Sequence, residues 1–161
     1  MQISYHAYIN TSGYAIAAIS YIFAILDADP EYDIRLTCLN QTDWRGISPN
    51  MVQKLKVLQK KKNAPDQTSL FHSIPEIYRR PIKSKCHIGF CIFETINPPQ
   101  TWVKRMNDMD GIITATAFNK NIFEKSGVNK PIFSVPHCFD AKLFNDQVQP
   151  EGRFGKTTFL S

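Results

Sequence analysis

Two side chains in this sequence join an ionisable group to a position where an open α/β sheet presents its ligands. They are His72, within Leu-Phe-His-Ser-Ile-Pro, and Glu94, which closes the apolar run His87 to Phe93. Ligands of such folds sit beyond the carboxyl ends of parallel strands. A carboxylate that ends an apolar strand faces a cleft or loses several kcal/mol through unpaired burial, so Glu94 is a candidate catalytic or ligand-holding group. His72 can hydrogen-bond a hydroxyl or phosphate, and reads equally as a histidine satisfied inside the fold. A third candidate is the turn Ser12-Gly13-Tyr14 between a strand and a helix, where backbone N–H groups and a positive helix end face an anion. One glycine can also mark a tight turn with nothing bound, and the G-x-G-x-x-G fingerprint is absent. Arg79 and Arg80 carry planar guanidinium groups suited to phosphate or carboxylate, or simply to water.

Other constellations give no chemistry. His137 and Asp140 fall in Val-Pro-His-Cys-Phe-Asp and read as turn residues, and His6 and His87 as strand-surface or core groups. Cys38, Cys86, Cys91 and Cys138 show no C-x-x-C spacing, which favours free, reduced thiols over a metal site. Gly155-Lys156-Thr157 lacks the first glycine, the preceding strand and the following helix of a phosphate-binding loop. No metal or other cofactor is expected.

The elements that must position the candidates follow from the pattern of apolar runs. Ile3 to Ile9 reads as a strand, Asn10 to Gly13 as a turn, and the apolar segment that follows and ends near Asp29-Pro30 as a buried helix. Tyr32 to Leu39 reads as a second strand, Pro49 to Lys61 as a second helix, and Thr68 to Ile74 as a third strand. Pro75 to Lys85 is too short for a crossover helix and holds a turn or two. The runs His87 to Phe93, Gly111 to Thr116 and Ile132 to Val135 alternate with helical segments, as parallel βαβ units require. Asn97 is expected to cap a helix opening with Pro98 and Pro99 and turning Trp102, Val103, Met106 and Met109 to one face. Thr116 is expected to cap another that buries Phe118, Ile122 and Phe123 and stops at Gly127. The fold class is therefore α/β, a Rossmann-like three-layer sandwich with a mostly parallel sheet.

The order Phe93-Glu94, Pro-x-x-Trp-Val, Met-Asp-Gly, Ala-Phe-Asn, Ser-Gly-Val and Val-Pro-His-Cys-Phe-Asp, over about residues 69 to 145, resembles the N-terminal domain of family 4 (group 1) glycosyltransferases. The resemblance implies two Rossmann-like domains facing across a cleft, with the acceptor mainly on this domain and the nucleotide-sugar mainly on the other. It implies a retaining, metal-independent transfer to a glycan or lipid-linked acceptor. Glu94 and His72 would then be the catalytic or acceptor-holding groups, and Ser12, Gly13, Tyr14 and Arg79 substrate-binding residues. Many members carry a histidine near Glu94, from which this chain departs. Residues 1–145 would form the acceptor-side domain and 146–161 a linker with the start of a truncated second domain, so the fragment alone is expected to be inactive. A stand-alone α/β ligand-binding or regulatory module is the alternative.

Composition is compatible with this. A chain of 161 residues with 43% hydrophobic and 20% charged residues can bury the core of one domain. A net charge of +5 suits an anionic partner such as a nucleotide-sugar or an acidic membrane surface, or a solvated basic face centred on Lys54, Lys56, Lys60, Lys61 and Lys62. Aromatics interleaved with charge, as nucleic-acid binding needs, are missing from that stretch. Tyr14 to Leu26 is apolar except for Ser20 but would span only about 20 Å as a helix, too short for a bilayer core of about 30 Å. A cytoplasmic protein, with contact at the inner membrane face as an option, is the expected setting.

Overall fold

A computed structural model describes residues 2–139, 141 and 145–147 of the chain. Six strands, β1 (Gln2–Ala7), β2 (Asp33–Cys38), β3 (Gln67–His72), β4 (Ser84–Phe90), β5 (Gly111–Thr114) and β6 (Ile132–Ser134), form one all-parallel sheet in the order β2-β1-β3-β4-β5-β6. Helices α1 (Gly13–Ala28), α2 (Pro49–Lys60), α3 (Gln100–Asn107) and α4 (Ala117–Lys125) flank it, giving the expected Rossmann-like three-layer sandwich. The expected linker lies outside the described residues apart from 146 and 147, as does Asp140.

Strand alternation sorts the core into two halves. Ile3, Tyr5 and Ala7 of β1 share a face with Ile34, Leu36 and Leu70, and bury Ala18, Ile19, Tyr21 and Ile22 of α1 with Leu55 and Leu58 of α2. On the other side, Phe71 and Ile112 pack against Tyr78, Val103, Met106, Ile122 and Phe123. Tyr78 follows a single 3₁₀ turn, Pro75–Ile77, and the β3–β4 connection ends in a second turn closed by the Ser84 N–H, which donates to the Pro81 carbonyl at 3.0 Å.

The sequence places most boundaries within two residues, and the exceptions have physical causes. β4 starts three residues earlier than expected, because Ser84 pairs with Gln67 and its hydroxyl meets that of buried Ser69 at 2.6 Å. It also ends earlier, at Phe90. Beyond it, the Ile92 N–H donates to the Tyr14 hydroxyl (3.2 Å), which in turn donates to the Ile92 carbonyl (3.0 Å), so a tyrosine replaces the neighbouring strand. Glu94 therefore lies on a loop rather than at a strand end. Asn97 does not cap α3. The residue before a proline is pushed out of the helical region, so the helix starts only after Pro99, with no side-chain cap. Thr116 does cap α4, accepting from the Asn119 N–H, and Gly127 stops it at φ +99°. Phe118 is 53% exposed, however, and the buried position is taken by Asn119.

At the opposite end of the sheet from the strand termini discussed below, Asp110 ties β4 to the loops. Its carboxylate accepts from the His87 backbone N–H (2.8 Å), lies 3.0 Å from His87 Nδ1 and pairs with Arg80 at 2.9 Å. Burial pushes this carboxyl up, but the bonds from Arg80 and His87 outweigh it and hold its pKa at about 2. Asp110→Ala is expected to lower stability by about 1–3 kcal/mol in urea unfolding, the loss belonging mainly to the orphaned N–H. Asp110→Asn, which can still accept that bond, should cost less than about 1 kcal/mol because the Arg80 pair is solvent-exposed.

Candidate functional site

The strand order changes direction between β1 and β3. The chain leaves β1 toward β2 on one side and leaves β3 toward β4 on the other, so a crevice opens over their carboxyl ends, the place where open α/β sheets bind ligands. Ala7 and His72, the last residues of these strands, are partners in the register. A cavity of about 540 Å³ lies here, a size typical of small-molecule sites, and Gly13, Tyr14, His72, Phe93, Glu94, Trp102 and His137 are among its lining residues.

The start of α1 forms one wall. Ser12 caps the helix, accepting from the Ala15 N–H at 3.4 Å, and both its N–H (2.9 Å) and its hydroxyl (2.6 Å) donate to Asn10 Oδ1. Its polar groups are thus committed, and it does not line the cavity. Gly13 does, and a Cβ added there would meet nothing within 4 Å, so the helix end is open to an approaching group. Arg79 also stays outside. Its guanidinium donates to the backbone carbonyls of Glu76 (2.9 Å) and Tyr78 (2.8 Å) on the exposed side of the 3₁₀ turn.

His72 forms the floor and is completely buried. Its ring stacks on Phe90 at 4.1 Å, meets the edges of Tyr14 and Tyr21 at 6.0 and 5.7 Å, and puts Nδ1 2.8 Å from the Tyr5 hydroxyl. Nε2 has no hydrogen-bond partner among the described residues. Burial, with a smaller contribution from nearby His137, lowers the imidazole pKa to about 3, so the ring is neutral. Burial likewise keeps the Tyr5 phenol well above its ordinary range, so its proton stays in place.

The loop after β4 supplies the opposite wall and is held at two points. Tyr14 clips Ile92 as described, and the Asn119 amide donates to the Phe93 carbonyl while accepting from the Thr114 hydroxyl at 3.2 Å. Glu94 follows directly, exposed at the rim, with no hydrogen bond or ion pair to its carboxylate among the described residues. Trp102 packs its indole edge-on to Phe93 at 5.2 Å and donates its N–H to Glu76, which fixes the ring beside Glu94. His137, read from the sequence as a turn residue, lines the mouth of the cavity. Its segment is tied to α1 by the Tyr21 hydroxyl, which lies 2.9 and 2.7 Å from the carbonyls of Val135 and Pro136.

Asn119 and Trp102 were not among the candidates from sequence. An asparagine at a helix position otherwise occupied by apolar residues was the available signal for the first. Asn119→Ala strands a buried hydroxyl and a carbonyl, so a loss of about 2 kcal/mol is expected, with faster hydrogen exchange in residues 92–95 than in β4.

Among the described residues no group of three or more His, Cys, Asp or Glu side chains could hold a metal ion, and no helix is long and apolar enough to cross a membrane. Compared with protein-family models, with curated proteins and with solved structures, the chain gives no significant match in any of the three.

Proposed function

We propose that this chain is the acceptor-side domain of a two-domain glycosyltransferase that moves a sugar from a nucleotide-sugar to a glycan or lipid-linked acceptor. The observation that carries the reading is the convergence of Gly13, His72, Glu94 and Trp102 on one cavity at the β1/β3 crevice. Its chemistry matches a polyol. Indole and phenyl rings of Trp102 and Phe93 suit the apolar face of a sugar ring, and a carboxylate and an imidazole suit its hydroxyls. Glycosyl transfer is mainly positioning and electrostatic stabilisation, and this domain would aim the acceptor hydroxyl with Glu94. The donor diphosphate and the groups that neutralise it would come from a second Rossmann-like domain closing over the open N-terminus of α1. No metal is required in this scheme.

Four free cysteines and a nucleotide-sugar substrate fit a cytoplasmic setting. The lysine-rich outer side of α2, where Val57 is 56% exposed, is the surface that would meet an anionic inner membrane face.

The test is transfer by the full reading frame of the gene from a panel of nucleotide-sugars, with the 161-residue chain alone expected to be inactive. Glu94→Gln is expected to reduce kcat/KM by about 10- to 100-fold, the value of a hydrogen bond to a charged group. Unchanged transfer would remove Glu94 from the site. The second reading, a ligand-binding module without catalysis, is favoured by one feature. His72 is neutral and has Nδ1 occupied by Tyr5, so it makes no base–nucleophile pair. Sugar binding without transfer from any donor would decide for that module.

A further inference from the structure

The hydrogen-bonding state of His72 follows from counting donors and acceptors around a ring that the fold buries at the floor of the cavity. The Tyr5 hydroxyl, itself 1% exposed, has His72 Nδ1 as its hydrogen-bond partner among the described residues, and Nε2 has none. A neutral imidazole carries its proton on one nitrogen and a lone pair on the other. With the proton on Nδ1, the ring would donate to the Tyr5 oxygen. The phenolic hydrogen would then have no acceptor and the Nε2 lone pair no donor, leaving two buried groups orphaned. With the proton on Nε2, the Tyr5 hydroxyl donates to Nδ1 and a single group, the Nε2–H, is left over. The second arrangement leaves fewer unpaired groups in a site where each is costly.

We propose that Tyr5 locks His72 in the tautomer protonated on Nε2, so that at the floor of the β1/β3 crevice His72 offers a ligand a hydrogen-bond donor rather than a base. The ligand atom that satisfies this site is an acceptor oxygen, in a hydroxyl, ether, carbonyl or phosphate group. An ammonium or amide N–H presented there would meet another donor. His72 is then a ligand-contacting residue that takes no proton, and Tyr5, which never touches the ligand, is a positioning residue that sets the polarity of the contact through a partner 67 residues away. The proposal rests on the ring's surroundings and holds or fails independently of the glycosyltransferase reading.

Long-range proton–nitrogen correlation spectra of the chain labelled with nitrogen-15 at histidine separate the two neutral tautomers by their cross-peak patterns. In the unaltered chain at neutral pH, His72 is expected to show the single pattern of an Nε2-protonated ring. In Tyr5→Phe, a population protonated on Nδ1 should appear, because the hydroxyl that excluded it is gone while the ring packing remains. An Nδ1-protonated ring in the unaltered chain would overturn the proposal, and so would a pure, unchanged tautomer in folded Tyr5→Phe. The first measurement needs no variant, so it decides the tautomer even if Tyr5→Phe does not fold.

Discussion

Gly89→Ala is expected to destabilise the protein by about 3 kcal/mol or more, which for a chain of this size corresponds to roughly 6–12 °C in Tm. A Cβ built on Gly89 would lie 2.3 Å from Tyr78 Cε2, 2.7 Å from Cζ and 3.0 Å from the hydroxyl oxygen. Such contacts are tolerable only where the neighbour can swing away, and here it cannot. Tyr78 is 2% exposed, packed against Phe71 in the half of the core that also holds Val103, Met106 and Phe123. The glycine itself is the partner of Phe71 in the centre of a parallel sheet, between β3 and β5, so the backbone is pinned from both sides. Either the tyrosine ring or the strand has to shift, and each breaks several packed contacts. A double-mutant cycle separates this steric account from an effect on strand propensity. If the clash is the cause, Tyr78→Ala/Gly89→Ala should be no less stable than Tyr78→Ala alone, because the ring that collided with the new methyl group has been removed. Additive losses would place the cost in the backbone instead.

Gly89 also shows what a sequence can and cannot disclose. A lone glycine inside the run His-Ile-Gly-Phe signals close approach of something to the strand, but Tyr78 becomes that something only through the turn at Pro75–Ile77. The α/β class, the parallel sheet and the cap at Thr116 were legible because they depend on local spacing and on residue types with fixed backbone preferences. The convergence of Gly13, His72 and Glu94 was legible in outline, since each follows an apolar run in a fold that binds ligands at strand ends. The details were not. Glu94 leaves the strand because a hydroxyl 78 residues away, on Tyr14, takes the backbone bonds of Ile92. Ser12 and Arg79 turn away from the cavity because Asn10 Oδ1 and two nearby carbonyls already use their polar groups. Local patterns name the groups able to bind a ligand, and only the packed chain shows which of them are already engaged.

Lowering the pH from 7 to 4 should remove much of the protein's stability, with histidines that the fold holds neutral, rather than carboxylates, responsible. Burial depresses the His72 pKa from 6.5 to about 3, and burial, then the Arg35 charge, depresses that of His6 to about 4. In the unfolded chain both rings take up protons near pH 6.5, whereas in the fold they stay neutral. The unfolded state therefore binds more protons below that pH, and stability, complete above 6.5, declines as pH falls toward 4 and 3. At about 1.4 kcal/mol per unit, His72 alone could account for up to about 5 kcal/mol by pH 3, a ceiling that structural relaxation will reduce. Even half of that is a large part of a typical stability of about 5–15 kcal/mol. Asp110 acts in a different window. Its lowered pKa gives stability that is complete above the ordinary carboxylate value and is lost only as pH falls from about 4 toward 2. Urea unfolding at a series of pH values should therefore show a decline that begins near pH 6.5, well before the carboxylates titrate. His72→Gln, which keeps a neutral hydrogen-bonding group opposite Tyr5, is expected to flatten that decline, although it starts from lower stability because it loses the stack on Phe90. A urea midpoint that stays constant between pH 7 and 4, or a slope unaltered in His72→Gln, would mean that the imidazole is not sealed in neutral form.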